Sequence, residues 1–167
     1  MRTKCSVKQV TVLPFNVSGS GPYKFKDRSA VLVWLVRTYS DGRKERALLT
    51  VTFLPCFMTD GASTFWPFSK LVPKWRKGDD TYNAAPAVHD ALYILEGVVE
   101  GESEAVKLSR EEVDDILRGI WRCWGMSRFL AGCADKGVEI FAGGKKHWGN
   151  DGYHVRQFVE AKWETLE

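Results

Sequence analysis

The sequence predicts an α+β fold: an N-terminal antiparallel β-hairpin or small sheet followed by a packed cluster of about four helices. Two observations lead there. Apolar residues up to about Phe53 come in β-branched and aromatic runs, whereas beyond Tyr82 they recur with helical spacing. The strand-like and helix-like segments are also segregated along the chain, without the βαβ alternation of a parallel sheet.

Each element has its own signal. Lys8–Leu13 alternates loosely, and Asn16–Pro22 is a Gly/Ser/Pro loop. Val31–Thr38 and Arg46–Leu54 are strand runs separated by Ser40-Asp41-Gly42-Arg43. Asp-Gly between two such runs signals a hairpin turn whose central residues both take positive φ. Pro86 suits the first turn of a helix that continues through Ala87–Glu96. Ser109-Arg110-Glu111-Glu112 reads as a capping box, with Ser at the N-cap and Glu at the third helical position. Val113, Ile116, Leu117, Ile120, Trp121 and Trp124 then form one apolar stripe. Leu130, Cys133, Ala134, Val138 and Phe141 form a third helical stripe, stopped by Gly143-Gly144. Val155, Phe158, Val159, Trp163 and Leu166 form a fourth. The organisation expected is one domain over 1–167: mainly β over 1–54, an irregular functional loop over 55–82, mainly helical over 83–167.

Composition sets the limits. A chain of 167 residues can bury a core without disulfides or metals, and nine Phe, five Tyr and seven Trp exclude a disordered chain. The net charge of +3 is too small to imply nucleic acid, although residues 1–50 carry ten Lys and Arg against three Asp and Glu. Those cations are dispersed among strand-like segments and read as a solvated sheet face, with no specific nucleic-acid partner. Cys5, Cys56, Cys123 and Cys133 lack metal-type spacing, and Cys123 and Cys133 fall in apolar patterns that read as buried thiols. The longest uninterrupted apolar run, Ala30–Val36, is far short of a transmembrane span, and Met1–Val10 lacks the apolar core of a signal peptide. A soluble protein in a reducing cytoplasm is expected.

Three places can carry chemistry: Thr59–Ser63, His89–Tyr93 and Ser109–Asp114. At about 100° per residue, His89 and Tyr93 lie about 40° apart on one helical face, with Asp90 about 100° from His89. The neighbouring arc of Val88, Leu92 and Leu95 should be buried, which places His89 at the border between core and solvent. On the next helix Asp114 flanks the apolar arc and Asp115 points away from it, toward solvent. If the two helices pack antiparallel, Asp114 can accept a hydrogen bond from His89, a His–Asp dyad in which the carboxylate orients the ring. The same residues also suit a structural role: a satisfied pair at the edge of a core, Asp60 as a turn residue, Tyr93 as packing. His147 and His154 read as surface residues. Phe65-Trp66-Pro67-Phe68 falls in the aperiodic segment, where Ser63, Phe65 and Trp66 are candidates for a substrate or partner surface.

These motifs resemble those of a bacteriophage and prophage protein family whose function is not known. The matching residues are Phe57 and Thr59–Ser63; His89, Asp90, Leu92 and Tyr93; and Ser109, Arg110, Glu112 and Asp114, with Val113 where the family has alanine. His89-Asp90, Tyr93 and Asp114 are also similar to the core of phospholipase A2 enzymes. That second resemblance implies His89 as general base for water, Asp114 as its orienting acid, Tyr93 as support for Asp114, and Asp90 as a Ca²⁺ ligand. The glycine-rich calcium loop of those enzymes is missing before His89, so Thr59–Ser63 would serve, with Asp60 as an extra ligand. Ca²⁺ takes roughly six to eight oxygens, so backbone carbonyls would have to complete the set.

The function expected is therefore a phage-encoded, metal-assisted hydrolase of a lipid or cell-envelope substrate, with catalytic His89, Asp114 and Tyr93 and with Asp60 and Asp90 on Ca²⁺ or another divalent metal. The alternative is a non-enzymatic virion or tail component, or an inhibitor of a host system, in which the motifs are structural. Its partner would be a host or phage protein. Either protein would act in the host bacterial cytoplasm or be carried in the virion.

Overall fold

The computed structural model describes residues 2–62, 70–133 and 156–167. Its centre is a four-stranded antiparallel sheet of β1 (Lys4–Val12), β4 (Ser29–Thr38), β5 (Lys44–Phe53) and β9 (Val159–Leu166), in the order β1-β4-β5-β9. A second antiparallel sheet joins β2 (Val17–Ser18), β3 (Tyr23–Phe25) and β6 (Met58–Thr59). A two-stranded ribbon joins β7 (Val98–Val99) and β8 (Val106–Lys107). Two helices, α1 (Asp80–Ile94) and α2 (Arg110–Trp124), complete the described elements together with a helical stretch at 128–133.

The packed cluster of about four helices is not what forms; sheets dominate. The apolar residues near the C-terminus, read above as a fourth helix, are strand β9. Val159, Ala161 and Trp163 alternate with exposed Glu160, Lys162 and Glu164, a period of two that pairs with β5 across more than a hundred residues of chain. The third stripe lies partly outside the described residues. The central hairpin does form, β4 on β5 from Ser29 opposite Phe53 to Thr38 opposite Lys44. Its turn differs from the expected one. Tyr39 N–H donates to the Arg43 carbonyl and Gly42 N–H to the Tyr39 carbonyl, and in this turn only Gly42 has positive φ, at 89°. That is a three-residue loop with glycine in the left-handed position.

One face of the central sheet builds the core. Val31, Val33 and Leu35 of β4 and Leu49, Val51 and Phe53 of β5 are buried on it. Helix α2 packs against β1 by its buried stripe Val113, Ile116, Leu117, Ile120 and Trp121. Its start is the expected capping box: Ser109 Oγ accepts from Glu112 N–H while Glu112 accepts from Ser109 N–H, and Gly125 ends it in the left-handed conformation. Glu112 also pairs with Arg37 at 2.8 Å, which ties the helix start to the sheet. Two expectations on this helix fail. Asp115 does not face solvent; β1 covers it, and it accepts from Cys5 N–H, Arg2 and Arg118. Cys123 lies off the buried stripe and is exposed, and Cys133 is half-buried.

The approach of α2 to β1 depends on Gly119, where an added Cβ would stand 2.5 Å from Cγ2 of Val7. Gly119→Ala is expected to cost about 1–3 kcal/mol by overpacking, read as a lower urea midpoint with unchanged slope. An unchanged midpoint would mean the helix can retreat freely from the sheet.

Helix α1 begins six residues before Pro86. Asp79 is its N-cap, accepting from Tyr82 N–H at 3.1 Å, and Pro86 sits inside. The helix is buried on nearly every side, from Tyr82 to His89 and from Ala91 to Ile94. An aromatic group of Phe25, Phe53 and Phe57 fixes the short strand β6 beside it, with ring centroids 4.9–5.6 Å apart.

Candidate functional site

Helices α1 and α2 bring His89, Tyr93 and Asp114 together. Nε2 of His89 lies 3.0 Å from Oδ1 of Asp114, and the Tyr93 hydroxyl donates to the same oxygen at 2.9 Å. The Nε of Arg110 donates to the Tyr93 hydroxyl at 2.9 Å. Residue spacing explains the alignment: His89 and Tyr93 are four apart on α1, and Arg110 and Asp114 four apart on α2. Each helix thus offers a two-residue face to the other.

The other ring nitrogen points elsewhere. Nδ1 of His89 stands 3.8 Å from Oδ1 of Asp90, beyond hydrogen-bond length. Asp90 is half-buried, and its second oxygen accepts from the Thr59 hydroxyl at 2.5 Å. Thr59 in turn accepts from Gly61 N–H at 3.1 Å. Gly61 has φ of 74°, and a Cβ there would stand 2.2 Å from the Lys74 carbonyl oxygen, so only glycine lets the two loops meet. The Ala62 N–H donates to that same carbonyl at 2.8 Å. The 59–62 turn is therefore pinned to α1 at the residue beside His89.

His89 is more deeply placed than the helical wheel predicts. It is 5% exposed rather than at the solvent border: Asp114 of α2 bonds the ring and Tyr93 lies against it, with ring centroids 4.1 Å apart. Burial disfavours the imidazolium, but the Asp114 hydrogen bond and the charges of Asp90 and Asp114 outweigh it and hold the His89 pKa above the usual imidazole value. Burial also works against the Asp114 carboxylate, and there too the His89 and Tyr93 hydrogen bonds prevail, holding its pKa below the usual range. Burial and the adjacent Asp114 charge push the Tyr93 phenol up, which keeps its proton available as a donor.

Arg110 joins the network without a role of its own in the sequence reading, although its four-residue spacing from Asp114 places it on the same face. Thr59 falls in a segment the sequence marks for chemistry, but its bond to Asp90, thirty-one residues away, has no sequence signal.

Asp60 is exposed, no hydrogen bond or ion pair among the described residues joins it to Asp90, and one Asp90 oxygen accepts from Thr59. Among the described residues no group of three or more His, Cys, Asp or Glu converges. This donor set does not fit a cation that takes roughly six to eight oxygens. Millimolar Ca²⁺ is accordingly expected to leave the melting temperature unchanged; an increase would show that a site binding only the native state exists after all. Ser63, Phe65 and Trp66, and likewise His147 and His154, lie outside the described residues.

The model of a protein family of unknown function, DUF1353, matches residues 34–137, a span that includes both helices and every residue of the His89 network. The chain belongs to the DUF1353 family. No curated protein and no solved structure matches it. No described helix of this DUF1353 protein is long and apolar enough to cross a membrane.

Proposed function

We propose that this DUF1353 protein is a hydrolase in which His89 is the general base, positioned by Asp114, Tyr93 and Arg110. One observation carries the reading. The imidazole is held at Nε2 by a carboxylate that is itself braced by Tyr93, while Nδ1 is turned toward the half-buried Asp90 without a hydrogen bond. A base must have one nitrogen fixed and the other free to take a proton. In the reaction, Nδ1 removes a proton from water as the water oxygen bonds to the substrate's acyl carbon. The imidazolium then returns that proton to the leaving group as the acyl bond breaks. Asp114 stays ionised and stabilises the charged ring between the two steps.

The substrate class rests on resemblance. The likeness of His89-Asp90, Tyr93 and Asp114 to the phospholipase A2 core points to lipid or cell-envelope substrates, and the likeness of the motifs to phage proteins points to an envelope met during infection. The deep burial of His89 supports a second reading, a non-enzymatic virion component or host inhibitor whose network only locks α1, α2 and the 59–62 turn together. An assay on phospholipid vesicles and on peptidoglycan separates the two. Hydrolysis of either by the wild type and its loss in His89→Gln support the enzyme. A wild type inert on both, in a protein destabilised by His89→Ala, leaves the structural reading.

A further inference from the structure

The carboxylate beside Nδ1 of His89 is held on one side only. Thr59 is 2% exposed, and both hydrogen-bonding capacities of its hydroxyl are committed within the fold. The oxygen accepts from Gly61 N–H at 3.1 Å, and the proton goes to Oδ2 of Asp90 at 2.5 Å. Oδ1 of Asp90 has no hydrogen bond among the described residues and stands 3.8 Å from Nδ1. That separation is too long for a direct bond, yet one water about 2.8 Å from each atom can touch both. Such a water has a way in, because the Asp90 side chain is 31% exposed against 17% for Asp114 and 6% for His89. Of the two carboxylates at the ring, the one beside Nδ1 is the more open to solvent.

We propose that Asp90 is a further catalytic residue, which holds the attacking water against Nδ1 of His89, and that Thr59 is the positioning residue behind it. This rests on His89 acting as the general base. The water directs one O–H to Nδ1 and the other to Oδ1 of Asp90, which leaves an oxygen lone pair for the substrate's acyl carbon. As that oxygen bonds to carbon, the carbonyl π electrons move onto the carbonyl oxygen and the first proton passes to Nδ1. The second proton stays on the former water oxygen as the hydroxyl of the tetrahedral intermediate. The carbonyl then re-forms, the bond to the leaving group breaks, and the imidazolium gives its proton to that group. Asp90 is ionised throughout and acts only as an acceptor. Thr59 keeps it so oriented: with its own oxygen occupied by Gly61 N–H, the hydroxyl can serve Asp90 only as a donor, and Oδ1 is left for the water.

Steady-state kinetics on phosphatidylethanolamine–phosphatidylglycerol vesicles and on peptidoglycan test the inference, with circular dichroism to check each fold. Asp90→Asn keeps the shape but reverses the open end. Thr59 still aims its proton at this side chain, so the amide oxygen settles on Thr59 and the NH₂ turns to the ring, where it cannot accept from water. A fall in kcat of about 10²-fold with little change in KM is expected, the cost of a misplaced reactant. Thr59→Val, which removes the hydroxyl, is expected to lower kcat by about 10-fold, the loss of one hydrogen bond to a charged group. Thr59→Ser, which restores that hydroxyl, is expected to recover most of the wild-type kcat. This pair decides the matter if Asp90→Asn does not fold. An active wild type whose kcat survives both Asp90→Asn and Thr59→Val overturns the roles of Asp90 and Thr59 and leaves His89 as the base. Equal losses in Thr59→Val and Thr59→Ser overturn the positioning role, because the hydroxyl is then not what matters. A wild type that hydrolyses neither substrate overturns the general-base reading and this inference with it.

Discussion

Asp114→Ala is expected to destabilise the protein by about 3–5 kcal/mol, the cost of breaking a buried ion pair by removing one partner. The substitution leaves His89 without its Nε2 partner and Tyr93 without its acceptor, both in places where water does not easily replace them. Asp114→Asn keeps the shape and one acceptor and should cost less, while lowering the His89 pKa, since the charge that offsets burial is gone. The effect has a pH window. The folded state holds His89 above its unfolded pKa of about 6.5, so this contribution is complete below that value and fades as pH rises through the folded pKa. Asp114 is held below its unfolded value of about 3.9, so its contribution is present above that and fades as pH falls through the lowered folded pKa. The difference between wild type and Asp114→Ala in urea denaturation should therefore be widest at pH ~4–6.5 and narrow on the alkaline side. A difference that does not change with pH would mean the pair is not ionised in the native protein.

His89→Ala is expected to reduce hydrolysis by about 10²–10⁴-fold, the usual contribution of a positioned general base. His89→Gln should lose the same activity while retaining more stability, because an amide can still donate to Asp114. Tyr93→Phe and Arg110→Met act at one and two removes from the base. Each should lower kcat with little change in KM, since Tyr93 bonds Asp114 and Arg110 bonds Tyr93, so both act by orienting the base. Loss of stability without any activity to lose, across all four variants, would assign the network to structure alone.

The parts of this account that were legible in the sequence are the local ones. The capping box at Ser109 and the hairpin around Asp41-Gly42 are signals a few residues long, and both elements form where they occur. The meeting of His89, Tyr93 and Asp114 was legible because helical periodicity fixes which residues share a face. What failed was non-local. The spacing of Val155, Phe158, Val159 and Trp163 is compatible with a helical turn, and only pairing with β5 makes Val159–Leu166 a strand. Helix α1 starts earlier than Pro86 suggests, because Asp79 is a good N-cap that also accepts from the Trp124 indole N–H at 2.8 Å. The Thr59–Asp90 bond, which holds the 59–62 turn against α1, is likewise non-local and no periodicity announces it.

The measurement that bears most directly on His89 as the base is the pH dependence of hydrolysis, set beside the titration of the His89 ring by NMR in the same protein. The rate is expected to rise with pH along a single limb, with a midpoint above the usual imidazole value of about 6.5 and equal to the pKa read from the ring. A rate that ignores pH through the ring's titration, or a wild type with no turnover while His89 titrates normally, would contradict it.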